Sequence, residues 1–229
     1  FYKVENTTML MPRDIFDDRL RMSDPKKFSW EMKPCEDATL EDIDTKTLTD
    51  AISEALLRTV KDAVFEVLKN PEDYRNRAAI MWASSLSHND LTECGTEKDF
   101  ASHKLEHELS GLFGVTHGAG LAAIWASWAQ FVLDRHVERF MQFAVNVMGV
   151  RCDFSDPKGT ALRGIQATEQ FFKAIGMPTN IPELIGRKAT DEEIQELVRK
   201  CSRDGKITSG AMEVLNAKDM EHIYRAANK

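Results

Sequence analysis

Three of the six histidines fall within fifteen residues, at positions 103, 107 and 117 of the segment SHKLEHELSGLFGVTHGAG. Imidazole in its neutral form binds transition metals, and a pair four residues apart on a helix lies on one face with Cβ atoms about 5 to 6 Å apart. His103 and His107 have that spacing. Gly111 and Gly114 then offer a turn, and Thr116 stands where an N-cap would open the next helix, which puts His117 in a first turn. The positive end of a helix disfavours imidazolium there and keeps the ring in its metal-binding form. A turn between two such helices can return His117 towards His103 and His107. The spacing alone is equally compatible with ordinary hydrogen-bonded histidines, and H-x-x-x-H with Lys104 after the first His is not the zinc-protease motif. Composition favours the site: the surroundings are rich in Gly, Ala, Leu and Trp, where unpaired imidazoles would be costly to bury.

The elements that must position these rings read as helices. Thr47 precedes an apolar stripe at Leu48, Ile52, Ala55, Leu56, Val60, Ala63, Val64, Val67 and Leu68. Asn70 with Pro71, Thr96 with Asp99, Asp156 with Pro157, Thr190 with Glu193, and Asn216 with Asp219 mark further helix starts. The spacing predicts that the second of these helices runs to about Asn89, and Gly176 and Pro178 stop the one that begins near Pro157. No run after Thr47 alternates polar and apolar residues between turn dipeptides, so the fold class is all-α, a helical bundle. Residues 10–46, punctuated by Pro12, Pro25 and Pro34 among charge clusters, read as a long surface excursion inserted ahead of the helical domain at 47–229.

The chain has 229 residues, 30 basic against 37 acidic side chains and a net charge of −7, which argues against a nucleic-acid partner. A hydrophobic fraction of 42% with 29% charged residues suits a sizeable core rather than disorder. Cysteines at 35, 94, 152 and 201 form neither a C-x-x-C clamp nor a disulfide framework, which fits a reducing cytoplasmic setting. Leu109 to Leu133 lacks Asp, Glu, Lys and Arg, yet its glycines and His117 interrupt it short of a membrane span. Trp125 and Trp128 with Leu121, Ile124 and Val132, and Ile80, Met81, Trp82 and Leu86, read as core faces. His136 and His222 read as surface, His88 as a solvent or capping residue, and Cys94 as a small buried residue.

DFASHKLEHELSGLFGVTHGAGLAAIWASW resembles the C-terminal helical domain of the iron-containing alcohol dehydrogenases, within their butanol-dehydrogenase-like, NAD(P)-dependent branch. TDAISEALLRTV, NPEDYRNRAAIMWASSLSHNDL and GIQATEQFFKAIGMPTNI are similar to the flanking segments, so the resemblance covers most of residues 47–229. It implies that His103 and His117 are metal ligands, for iron or zinc, and that His107 lies beside the metal and the nicotinamide in a proton-handling or positioning role. It further implies a small alcohol or aldehyde as substrate and NAD or NADP as cofactor, with no membrane partner and a homo-oligomer left open. The family's nucleotide-binding half, with the D-x-x-x-H pair that supplies two more ligands, stands upstream of a segment like FYKVENTTM. This chain opens on Phe1. The expectation is a cut into something longer, inactive in hydride transfer as this piece. Asp90 and Glu93 stand where the branch tends to carry glycine. Two other readings compete: a non-catalytic structural or interaction module derived from that domain, and a free-standing helical metal binder using Asp99 or Glu106 beside the histidines.

Overall fold

The computed structural model describes Tyr2–Val4, Thr7–Met9 and residues 46–229, so the segment expected as an insertion lies outside the described residues. The chain forms two units: Phe1–Ser53 with Leu86–Thr96, and Glu54–Ser85 with Glu97–Lys229. In the first, β1 (Tyr2–Val4) and β2 (Thr7–Met9) pair antiparallel with Tyr2 opposite Met9. The same unit holds the start of helix α1 (Lys46–Lys69), whose Thr49 hydroxyl donates to the Cys94 carbonyl at 2.7 Å. Asp90 has φ +66°, a left-handed conformation that Asp tolerates better than most residues and Gly best of all.

The second unit is the helical body. After α1 come α2 (Tyr74–Ser87), α3 (Ala101–Phe113), α4 (His117–Val132), α5 (Val137–Asn146), α6 (Pro157–Ala174), α7 (Ile181–Ile185), α8 (Asp191–Cys201) and α9 (Ala217–Ala227). Three of the expected starts are built as the residues suggest. The Asp156 side chain accepts from the Gly159 amide ahead of Pro157, while Thr190 with Glu193 and Asn216 with Asp219 close reciprocal capping boxes. Two starts fall later than expected. Asp73 rather than Asn70 caps α2, accepting from the Asn76 amide, and those hydrogen bonds hold its carboxyl below the usual range. Asp99 rather than Thr96 opens α3, accepting from the Ala101 amide at 2.7 Å.

Helix α4 is the centre of the body and packs against α3, α6, α7 and α9. Its buried residues, Gly120, Ala122, Ala123, Ile124, Ala126, Ser127, Trp128, Ala129 and Val132, run around most of its circumference. A helix apolar all round is an interior helix, which accounts for the charge-free stretch between Leu109 and Leu133. Among the described residues no helix is long and apolar enough to cross a membrane. Helix α5 packs along α6, and α1 is tied to α5 by Glu54, which accepts from Gln142 Nε2 at 2.8 Å and Asn146 Nδ2 at 2.9 Å.

Trp128 and Ile124 sit in the core as expected, but Met81 and Trp82 do not: they are 69% and 66% exposed. In α2 only Ala83 is buried; Ile80 and Leu86 are half-buried, and Met81 and Trp82 face outward. Cys94 is likewise exposed rather than buried, and its thiol lies 3.7 Å from the Asp90 carbonyl.

Candidate metal centre

The site is made by the α3 to α4 turn. Gly114 adopts φ +67° and donates its amide to the Ser110 carbonyl, a left-handed helix end that glycine adopts without steric cost. Two residues later Thr116, in extended conformation but without a side-chain cap, starts α4 at His117. The reversal brings the three histidines together. Ring centroids are 5.4 Å apart for His103 and His117, 5.4 Å for His107 and His117, and 6.4 Å for His103 and His107. Phe100 stands edge-on to His103 at 5.4 Å.

Beneath the rings lies Glu106, fully buried. Its Oε1 accepts from the Ser110 hydroxyl, and its Oε2 contacts Nδ1 of His117. Ligand atoms of Glu106, His107 and His117 all lie within 4.8 Å of one another. Room for the carboxylate comes from Gly120, one turn into α4, where a Cβ would fall within 2.8 Å of Glu106 Cγ. Imidazole nitrogens beside a carboxylate suit iron or zinc; this group holds His117 with His107, and His103, the other ligand the sequence resemblance implies, is not a member of it.

The expected burial of the histidines is corrected: His107 is exposed, His103 half-buried, and the His117 side chain 49% exposed. The buried polar group is Glu106, which the sequence offered only as a ligand for a free-standing metal binder. Its signal was present in the i, i+4 pair Glu106 and Ser110 and in the small residues of HGAG, but only the folded turn joins them. Asp99, the other such candidate, is occupied elsewhere. Its Oδ2 accepts from the amides of Ala211 and Met212 at 3.0 and 2.8 Å, pinning the loop before α9 to the start of α3. His88 is exposed with Nδ1 2.9 Å from the Ser87 hydroxyl, and His222 is exposed beside Phe131.

Residues 39–228 match the model of the Fe-containing alcohol dehydrogenase family, C-terminal. The chain belongs to the iron-containing alcohol dehydrogenase family. Within it, the chain is 32% identical over 178 residues to NADH-dependent butanol dehydrogenase A of Clostridium acetobutylicum, covering 77% of this chain and 44% of that protein. It is 29% identical over 185 residues to the NADPH-dependent aldehyde reductase YqhD of Escherichia coli, covering 81% and 46%. The crystal structure of NADH-dependent butanol dehydrogenase A from Thermotoga maritima superposes with a TM-score of 0.73 at 26% identity, over 80% of this chain and 46% of that one. The chain thus spans about half the length of the relatives it matches, and its all-α architecture is that of the family's C-terminal helical domain.

Proposed function

We propose that this chain is the metal-bearing part of an alcohol or aldehyde oxidoreductase that moves hydride between a nicotinamide cofactor and a small alcohol. The observation that carries the reading is the convergence of His103, His107 and His117 from two helices onto one turn, at centroid distances of 5.4 to 6.4 Å. His103 and His117 would hold a divalent ion, iron or zinc. When bound, that ion supplies Lewis acidity, polarising the substrate oxygen and favouring the alkoxide. His107, exposed beside His117, would take the alcohol proton during oxidation and return it during reduction. Exposure of His107 and His117 leaves the face open to a substrate and a nicotinamide delivered from outside this helical body.

Hydride transfer needs the reacting carbon and the nicotinamide in one cleft. The reading therefore places the NAD or NADP contacts, and two further metal ligands, in a nucleotide-binding half encoded upstream, and the whole enzyme in the cytoplasm. Nicotinamide absorbance followed with a small primary alcohol or its aldehyde tests it. A form carrying that half should turn over, the 229-residue chain alone should not, and His107→Ala should slow turnover more than it weakens metal binding. Turnover by the chain alone would overturn the division of labour. Silence from the longer form would favour the second reading, a non-catalytic interaction module, for which the outward-facing Tyr74, Met81 and Trp82 at 84%, 69% and 66% exposure supply an apolar surface.

A further inference from the structure

We infer that Glu106 is a positioning residue that fixes the tautomer and orientation of His117, holding its proton on Nδ1 so that Nε2 is the nitrogen left for the metal. The inference rests on the proposed metal reading and adds a residue to it.

Three features of the α3 to α4 turn converge on it. First, Glu106 is fully buried in a helix whose other buried residues are Ala101, Leu105 and Leu109. A carboxylate taken out of water is expensive unless each oxygen has a partner, so its retention at an otherwise apolar position asks for a reason. Second, its two oxygens are divided. Oε1 accepts from the Ser110 hydroxyl, one turn along the same helix, while Oε2 meets Nδ1 of His117 on the next helix. A carboxylate is an acceptor only, so the hydrogen of that contact belongs to Nδ1. A neutral imidazole with Nδ1 protonated has its lone pair on Nε2. Third, the opposing helix is relieved for this contact. Gly120 faces Glu106 so closely that a methyl group there would collide with the carboxylate carbons. Both helices thus accommodate the carboxylate: one buries it, the other leaves out a side chain to admit it.

The contact does three things for a metal ligand. It selects one of two tautomers, it stops rotation of a ring that is otherwise 49% exposed, and its negative charge makes Nε2 a stronger donor. Ser110 orients the carboxylate in turn through its hydroxyl. Removing a partner of this kind from a ligating histidine commonly costs 10- to 100-fold in metal affinity.

The test is long-range nitrogen-15 NMR of the 229-residue chain without metal, reading which ring nitrogen of neutral His117 carries hydrogen. Free histidine favours the Nε2–H form, so the opposite form is diagnostic. The expected result is Nδ1–H in the wild type, reversion towards Nε2–H in Glu106→Ala, and retention in Glu106→Gln, whose amide oxygen can still accept. Zn2+ titration should show affinity falling about 10- to 100-fold in Glu106→Ala and less in Glu106→Gln and Ser110→Ala. His117 protonated on Nε2 in the wild type overturns the inference without any variant having to fold. An unchanged tautomer in a folded Glu106→Ala overturns it as well. If the wild type shows Nδ1–H but takes up no Zn2+, the positioning contact stands and the metal reading fails instead.

Discussion

The hydroxyl of Tyr224 donates to the carbonyl of Leu105 at 2.7 Å, and both residues are completely shielded from solvent. Leu105 immediately precedes Glu106, so α9, near the end of the chain, braces the turn of α3 that carries the site. Burial pushes the phenol well above its ordinary pKa, with the neighbouring Cys201 thiol adding to the effect, so the hydroxyl remains a donor across the accessible pH range. Tyr224→Phe keeps the ring and removes only this bond. The Leu105 carbonyl retains its place in the helix ladder, so the expected loss is about 1 kcal/mol. Urea unfolding of the two proteins measures it, and a loss near zero would mean that the brace contributes nothing.

The close approach of Gly120 to Glu106 predicts a coupled pair. Gly120→Ala alone should destabilise by about 1–3 kcal/mol, because a Cβ must displace the carboxylate or the helices must separate. In a Glu106→Ala background the same change has room. The double-mutant cycle should therefore show non-additivity of about 0.5–3 kcal/mol. Additive losses would mean that the two positions do not touch.

Local contacts are legible in the sequence and long-range ones are not. Caps are local: Thr190 with Glu193 and Asn216 with Asp219 each complete their bonds within one helical turn, so spacing alone was enough. The start of α2 is ambiguous in the sequence because two cap-competent residues, Asn70 and Asp73, stand three apart, and the Asn76 contacts that decide between them involve side-chain geometry. The helical period of Trp82 points it to the core. A period shows that a face exists and not what covers it, and here Trp82 is 66% exposed. The histidine triad was legible because its turn is marked by Gly114 and Thr116. Glu106 as a partner of His117 was not, since that contact is made across eleven residues and depends on space left by Gly120.

Thiol reactivity should separate sharply by position. Burial pushes the Cys201 thiol up to about 11, whereas Cys94 is exposed. Thiolate is the reactive form, so at neutral pH Cys94 should be alkylated rapidly and Cys201 only after unfolding. Mass spectrometry of the labelled peptides over time checks this. Equal labelling rates in the folded protein would show that α8 and α9 are not packed as described.

Acid stability should depend on α8. Its Glu193 carboxyl is lowered to about 2 by hydrogen bonds from Arg187 and from the Thr190 amide, and Glu196 to about 2 by Arg199. With the folded value below the ordinary 4.5, the unfolded state binds more protons as pH falls. The contribution is therefore complete above about pH 4.5 and is lost progressively towards pH 2. Both groups are solvent-accessible, so the effect is modest and salt-sensitive. A Glu193→Gln, Glu196→Gln variant should be less stable at neutral pH and show a flatter decline through that acid window. Parallel urea midpoints at every pH would contradict the assignment.

On the proposed reading, the α3 to α4 turn holds a divalent ion through His103 and His117. Elemental analysis after anaerobic equilibrium dialysis against Fe2+ or Zn2+ tests it most directly, comparing the chain with its His103→Ala, His117→Ala double variant. The wild-type protein should retain the ion and the folded double variant none. Equal metal content in the two proteins would contradict it.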